Sequence, residues 1–309
     1  MALLLQVIVT GLAAGAGYGL VAIGYTLIYQ LTGVIHFALG ELVALSVFIT
    51  LLLAAGTGPV TRTSVSTVRF LPAFATGLLI AATTGMAVYL LAVRPFLRRG
   101  LVLGWIGGTV AVAFAVRGLL AATFIRESYV FPDPIPFNRL AHDGVLDLGG
   151  GVTLPVRTFF VITVGIALAE LAALLLDRTR WGRALKAIAS NRQGAYLIGL
   201  PVERLVAMAF ALAGVLAALA GVVAAPGGPL SADTGALLGL KGLVAALVGG
   251  FGSPRRVFGL GLLVGVLEAG AANVHVGPVR LGAEYRDIVP LALALAFLAM
   301  RRLAGSISE

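Results

Sequence analysis

Cysteine is absent and charge is scarce. With no thiol anywhere in 309 residues, disulfides, thiol catalysis and Cys-ligated metal are excluded. Lys and Arg number 22 and Asp and Glu 13, so charged residues make up only 11% of the chain. That is too little to wet the surface of a soluble globule, which carries about 25% charged residues. The three histidines, His36, His142 and His275, are too dispersed to form a cluster of metal ligands. The only lysines are Lys186 and Lys241, and neither follows a glycine in a Gly-Lys pair. A Walker A loop needs a lysine on the phosphates, so this chain holds no nucleotide site of that kind. Neither GxSxG nor HExxH occurs. No motif supports an enzyme, and no metal or other cofactor is expected in this chain.

What the chain has in quantity is apolar surface: 60% of its residues are hydrophobic and its mean hydropathy is +1.05. Glycine, at 41 residues, suits close helix packing in lipid. The composition is that of an integral membrane protein. A net charge of +9 would suit a nucleic-acid binder, but the basic residues interrupt long apolar runs and form no polar face, so nucleic acid is not an expected partner.

A spanning helix needs about 20 apolar residues. Runs of that kind occupy Leu3–Ile28, Phe37–Ala55, Leu71–Val93, Leu101–Ile125, Thr158–Leu176 and Leu205–Ala225. Gly235–Phe251, Val257–Val274 and the short Ile288–Met300 are further candidates. The runs are continuous, whereas barrel strands alternate. The expected fold is all-α: a polytopic transmembrane bundle of about eight to nine segments, forming a single domain over residues 1–309. The first run is too long for a signal-peptide core and reads as a mature transmembrane helix.

If all nine runs cross with the N-terminus outside, thirteen Lys and Arg residues collect on the inner side and seven on the outer. The positive-inside rule then makes the basic loops cytoplasmic, including 178–204, and makes 126–157 an outer loop.

Ionisable groups inside membrane runs are functional candidates by default. They are Glu41, Arg117, Glu170, Lys241 and Glu268. Lys241 and Glu268 lie on adjacent segments of opposite direction, which makes them a candidate pair. Arg117 is near enough to its helix end to snorkel outward, and Glu170 reads as a buried structural hydrogen-bonding group. Gly11, Gly15 and Gly19 recur every four residues on one helix face, the pattern of a tight helix crossing, and Gly104/Gly108 and Gly261/Gly265 repeat it. Tyr29 to Glu41 reads as a helix break. Such breaks expose backbone near the midplane only where they line a cavity, so Tyr18, Thr32, His36 and Glu41 are candidates for the substrate path; an ordinary inner turn is the alternative. Asp177 to Arg204 is longer than a helix connection requires. It reads as one short basic amphipathic helix ending at Gly199-Leu200-Pro201, suited to anionic lipid or to a cytoplasmic protein.

Three segments together resemble the permease subunits of branched-chain (hydrophobic) amino-acid ABC importers, of the LivH-like kind. The first is Gly11 to Glu41, with Gly24-Tyr25-Thr26-Leu27-Ile28-Tyr29 and Thr32-Gly33-Val34-Ile35-His36-Phe37-Ala38-Leu39-Gly40-Glu41. The second runs from Gly182-Arg183-Ala184 through Ala195, Leu197, Gly199, Val202 and Arg204 to Phe210. The third is Gly239-Leu240-Lys241, then Gly249-Gly250-Phe251-Gly252-Ser253 and Gly259 to Glu268. His36 and Leu39 stand where the family usually has Asn and His, and Arg255-Arg256 where it often has small residues. The resemblance implies a bacterial inner-membrane subunit without its own ATP site. It also implies a second permease subunit, with a heterodimer favoured, two cytoplasmic ABC ATPase subunits and an extracytoplasmic substrate-binding protein. Two inner loops compete for coupling to the ATPases. One carries Trp181, Gly182, Arg183, Ala195 and Gly199; the other is the turn with Gly252, Ser253, Arg255 and Arg256. Related permeases carry urea, amides or other small polar solutes, and an ion-coupled secondary carrier and a non-transporting scaffold are the rival classes.

Overall fold

A computed structural model describes residues 2–56, 65–101, 103–124, 128–131, 133–135, 137, 144–147, 153–225 and 229–272, with short pieces at 275–276, 279–280, 288 and 291–292. In chain order the helices are α1 (Ala2–Thr32), α2 (Leu39–Ala55), α3 (Thr67–Val88), which continues through a π-turn at Tyr89–Val93 into α4 (Arg94–Arg98), and α5 (Gly104–Thr123). There follow α6 (Val156–Arg178), α7 (Arg180–Ser190), α8 (Arg192–Leu197), α9 (Val202–Ala224), α10 (Thr234–Val248) and α11 (Pro254–Ala271). Eight of the nine apolar runs fall on these helices; Ile288–Met300 lies almost entirely outside the described residues.

Length separates two classes of helix. Leu4–Thr32, Thr67–Arg98, Gly104–Thr123, Val156–Arg178 and Val202–Ala224 are long and apolar enough to cross a membrane. With 17 and 15 residues, α2 and α10 reach only about 26 and 23 Å at 1.5 Å per residue, short of a hydrocarbon core of about 30 Å. Their position compensates, because α1, α9 and α10 all pack on α2. The helix is apolar around its whole circumference and thirteen of its residues are buried, the pattern of a helix shielded along most of its length; Leu52 and Leu53 near its end are exposed. By contrast α5 buries only Thr109, Val116 and Leu120 and lies at the periphery.

The crossing of α1 and α11 is made by glycine. A methyl group on Gly11 would stand 2.6 Å from Val266 Cα, and one on Gly15 would stand 2.6 Å from the Gly261 carbonyl oxygen. On Gly19 it would stand 2.5 Å from the Phe258 ring. The three glycines singled out on α1 therefore meet Gly261 and Gly265 within the same chain, backbone against backbone. Gly104 and Gly108 instead accommodate Phe96 and the Ala92 carbonyl in their own hairpin.

The basic segment differs from its expected single helix. It breaks at Asn191, whose Oδ1 accepts the Gly194 N–H at 2.8 Å and so starts α8 afresh. Thr179 caps α7 in the same way, accepting from Gly182 N at 3.0 Å. Gly182 sits directly on the end of α6, where a Cβ would stand 2.6 Å from the Leu175 carbonyl oxygen. Gly199 ends the segment at φ +80°, a conformation that suits glycine.

At the opposite end of the bundle, β1 (Tyr129–Val130) pairs antiparallel with the later strand Pro229–Leu230, and β2 (Val145–Asp147) with β3 (Thr153–Pro155). These described pieces of 126–157 are tied to the helices by Arg157, which donates to Asp133 Oδ2 at 2.7 Å and to the Val223 carbonyl at 2.9 Å. Arg117 pairs with Asp233 at this end.

Substituting Gly15 with Leu will force α1 and α11 apart, at a cost of about 3 kcal/mol. Gly107→Ala places its methyl where nothing lies within 4 Å, so it should be silent. Thermal unfolding midpoints and yields of folded protein in mild detergent distinguish the two.

Candidate functional site

Two polar regions break the apolar interior, one at mid-depth and one at the basic end. At mid-depth, Lys241 of α10 donates from Nζ to Glu268 Oε1 of α11 at 2.8 Å. Nζ also lies 3.5 Å from the Tyr18 hydroxyl of α1 and 5.4 Å from that ring's centre. Both charged side chains are almost completely buried, at 6% and 4% exposure. The pair joins three helices at one point. Stripping two charges of water is costly, and their attraction offsets that cost only while both are present.

Near the start of α2, the break runs over residues 33–38, with Gly33 at φ +69°. Thr32 is engaged locally: its hydroxyl donates to the Ile28 carbonyl at 2.7 Å and accepts the Val34 N–H at 3.2 Å. It closes the end of α1. His36 is fully buried, its ring 5.5 Å from that of Phe210, and neither ring nitrogen has a hydrogen-bond partner among the described residues. Glu41, in the first turn of α2, is also buried, and its Oε2 likewise has no partner. Gly40 beside it packs on α10, where a Cβ would stand 2.6 Å from the Gly235 carbonyl.

Of the four residues expected on a path, Tyr18 and Thr32 are set apart. Tyr18 stands about 21 Å along the helix axis from Thr32 and belongs to the Lys241–Glu268 site; His36 and Glu41 belong to the break. Sequence reasoning passed over Tyr25 and Thr26, buried on α1, the latter with an unpartnered hydroxyl. Tyr25 lies seven residues after Tyr18, a spacing that could have signalled the shared face.

At the basic end, the two loops that competed on sequence grounds are joined. Lys186 of α7 donates to Asp177 Oδ1 at 2.8 Å, and Arg255 of α11 donates to Asp177 Oδ2 at 3.1 Å. Arg255 Nε also reaches both carboxylate oxygens of Glu170 at 3.0 Å. Glu170, expected as a buried group, is about half exposed because it faces this network. Arg255 and Arg256 lie in the first turn of α11 and not in the connecting turn. That turn is itself clamped to α1: Gln30 donates to the carbonyls of Phe251 and Gly252 at 2.8 and 2.9 Å, and the Tyr29 ring stacks on Phe251 at 3.9 Å. Phe251 has φ +50°, an uncommon conformation for a bulky residue that its surroundings must hold in place. Between the loops lies a cavity of about 540 Å³ lined by Tyr29, Gln30, Lys186, Phe251 and Ser253 among others.

A second network at this end has Glu203, in the first turn of α9, at its centre. It accepts from Tyr89 at 3.1 Å and Tyr196 at 2.8 Å, and lies 2.6, 3.6 and 3.8 Å from Arg94, Arg192 and Arg98. In the sequence Glu203 was only one charge in a basic loop; nothing there marked its partners. Among the described residues no group of three or more His, Cys, Asp or Glu is placed to hold a metal.

Breaking the mid-depth pair from one side should cost about 3–5 kcal/mol. Lys241→Met and Glu268→Gln should each lower the unfolding midpoint strongly, and the double variant should recover part of the loss. A double-mutant cycle on thermal unfolding checks this; additive losses would contradict a coupled pair.

Comparison with known proteins agrees with the resemblance. Residues 7–298 match the model of a family described as "Branched-chain amino acid transport system / permease component". The chain is 29% identical over 299 residues to the high-affinity branched-chain amino acid transport system permease protein BraD of Pseudomonas aeruginosa, covering 96% of this chain and 94% of BraD. It is 28% identical over 302 residues to the corresponding permease LivH of Escherichia coli, covering 95% and 92%. A solved chain of PsaBC from Streptococcus pneumoniae covers 93% of this chain and 89% of its own at 13% identity and a TM-score of 0.44, too distant to inform the site. On a match that runs through nearly all of its helices, the chain belongs to the family of permease components of branched-chain amino-acid transport systems.

Proposed function

We propose that this chain is the membrane-spanning permease subunit of an ATP-driven importer, passing branched-chain and related hydrophobic amino acids across a bacterial plasma membrane. The family match over residues 7–298 carries the reading. The energy comes from outside the chain, which has no Walker A lysine. Two cytoplasmic ABC ATPases supply it, a second permease subunit completes the path, with a heterodimer favoured, and an extracytoplasmic binding protein delivers the solute. The basic end, with α7, α8 and the α10–α11 turn, faces the cytoplasm, as the positive-inside rule requires.

The geometry suggests how a push is transmitted. Asp177 holds Lys186 of α7 and Arg255 of α11 at once, so displacing either loop carries the other with it. The α10–α11 turn is fixed to the end of α1 through Gln30 and Tyr29. An ATPase docked on this face therefore moves α1 and α11 together, the two helices that glycine holds in backbone contact. The break before α2, which leads inward from the end of α1, is the place where His36 and Glu41 meet solute; Tyr18 borders the path from the Lys241 site.

Ser253→Trp should leave the complex assembled and its ATPase running while uptake per ATP falls at least about fivefold. If lipid attraction alone explains the basic end, Arg255→Lys combined with Arg256→Lys is silent. If the fork on Asp177 and Glu170 matters, it uncouples. Proteoliposomes with and without the ATPase subunits give the ratio. Uptake by this chain alone on a proton or sodium gradient would defeat the importer reading.

His36→Asn and Glu41→Gln should alter the preference among leucine, valine and small polar solutes. Competition uptake assays measure it, and unchanged preference in both would assign the break a structural role only.

A further inference from the structure

The charges around Glu203 do not balance. Three guanidinium groups, Arg94, Arg98 and Arg192, surround one carboxylate, and with Tyr89, Tyr196 and Leu97 they line a cavity of about 380 Å³. An arginine carries five N–H donors, and a carboxylate offers about four acceptor sites. Two of those sites already take the Tyr89 and Tyr196 hydroxyls. Only Arg94 approaches Glu203 closely, at 2.6 Å; Arg192 and Arg98 stand off at 3.6 and 3.8 Å. The cavity is therefore rich in donors and poor in acceptors, with two positive charges in excess.

Its construction is specific. The π-turn at Tyr89–Val93 inserts an extra residue into the helix, and such turns concentrate at functional sites. Here Tyr89, which opens the turn, and Arg94, which follows it, both reach Glu203. On the other side, Asn191 restarts the chain as α8, which brings Arg192 and Tyr196 to the same carboxylate. Exposed apolar side chains flank its lining residues in sequence: Leu91, in the π-turn, is 76% exposed and Leu197, next to Tyr196, 88%. A basic hollow at the end of membrane helices, with exposed leucines next to its lining residues in sequence, matches a ligand whose anionic head is joined to hydrocarbon.

We propose that this cavity is a binding site for a phosphate group, held by Arg94, Arg98 and Arg192, and that the phosphodiester of an anionic membrane lipid supplies it. Arginine forks fit phosphate oxygens in bidentate fashion, and basic pockets between membrane helices take such headgroups. A lipid seated there would touch α4, α8 and α9 at once, so it would brace the segment that carries α7 and α8.

The test uses the complete transporter purified in neutral detergent and titrated with fluorescent phosphatidylglycerol, with phosphatidylcholine and inorganic phosphate as competitors. Wild type should bind phosphatidylglycerol saturably and resist phosphatidylcholine. Arg98→Gln with Arg192→Gln should weaken binding about thirtyfold, whereas Arg178→Gln with Arg180→Gln, exposed basic residues of the same end outside the cavity, should change it less than about twofold. Because the double variant also loosens the contacts of Glu203, Arg98→Gln alone is compared with its exposed neighbour in Arg99→Gln. Displacement by inorganic phosphate at concentrations matching its own affinity would identify free phosphate as the source and overturn the lipid; failure to displace supports the lipid. Equal losses in the cavity and control variants would reduce the effect to general surface charge and overturn the site. Loss of the ATPase subunits from the Arg98→Gln complex with lipid binding unchanged would assign the cavity to a protein partner, and would also overturn it.

Discussion

The arrangement of this permease depends on backbone contact between α1 and α11. In lipid, no hydrophobic drive brings helices together, so association rests on close van der Waals packing and on polar contacts. Gly11, Gly15 and Gly19 on one helix and Gly261 and Gly265 on the other remove every side chain that would hold the two axes apart. The close approach has a second effect. It brings Tyr18, one residue before the last of those glycines, beside the Lys241–Glu268 pair. The site that most needs exclusion of water thus sits against a backbone-to-backbone helix crossing.

Much of this was legible in the sequence, and for physical reasons. Hydropathy fixed the helices because lipid tolerates no unpaired backbone, and glycine spacing gave the crossing because a period of four marks one helix face. Lys241 and Glu268 could be matched because isolated charges in apolar runs must find each other. The pairs at the basic end were not legible. There the charges are dense, and any of several acids might serve any of several bases, so Asp177 and Glu203 could be assigned only once the helices were placed. The break at Asn191 was hidden as well. A cap in mid-segment depends on one side chain turning back to Gly194, and composition carries no trace of that turn.

The two networks at the basic end differ in kind. Asp177 joins parts of the chain that are separate in sequence and belong to two loops, so in the proposed mechanism it sets how motion is shared between them. Glu203 gathers the ends of three neighbouring elements and leaves positive charge unspent. In the proposed mechanism one is a link between moving parts; the other, in the proposed lipid site, is an anchorage at the membrane surface. Their separation means that a change to headgroup chemistry acts on α8 without breaking the tie between α7 and α11.

The seclusion of α2 has a consequence for what the permease can carry along its length. A helix at the periphery, such as α5 with only three buried residues, has to stay apolar over most of its surface whatever the cargo. With thirteen of its seventeen residues buried among neighbouring helices, α2 is solvated mostly by protein, and its exposed leucines, Leu52 and Leu53, sit together near its end. The composition of that buried stretch answers to its neighbours, so it can hold Glu41, Ser46 and Thr50, all buried, away from lipid. A family that changes cargo while keeping its membrane architecture would find in such a helix its freest place to vary: an inner wall whose chemistry can be rewritten while the outer wall stays greasy.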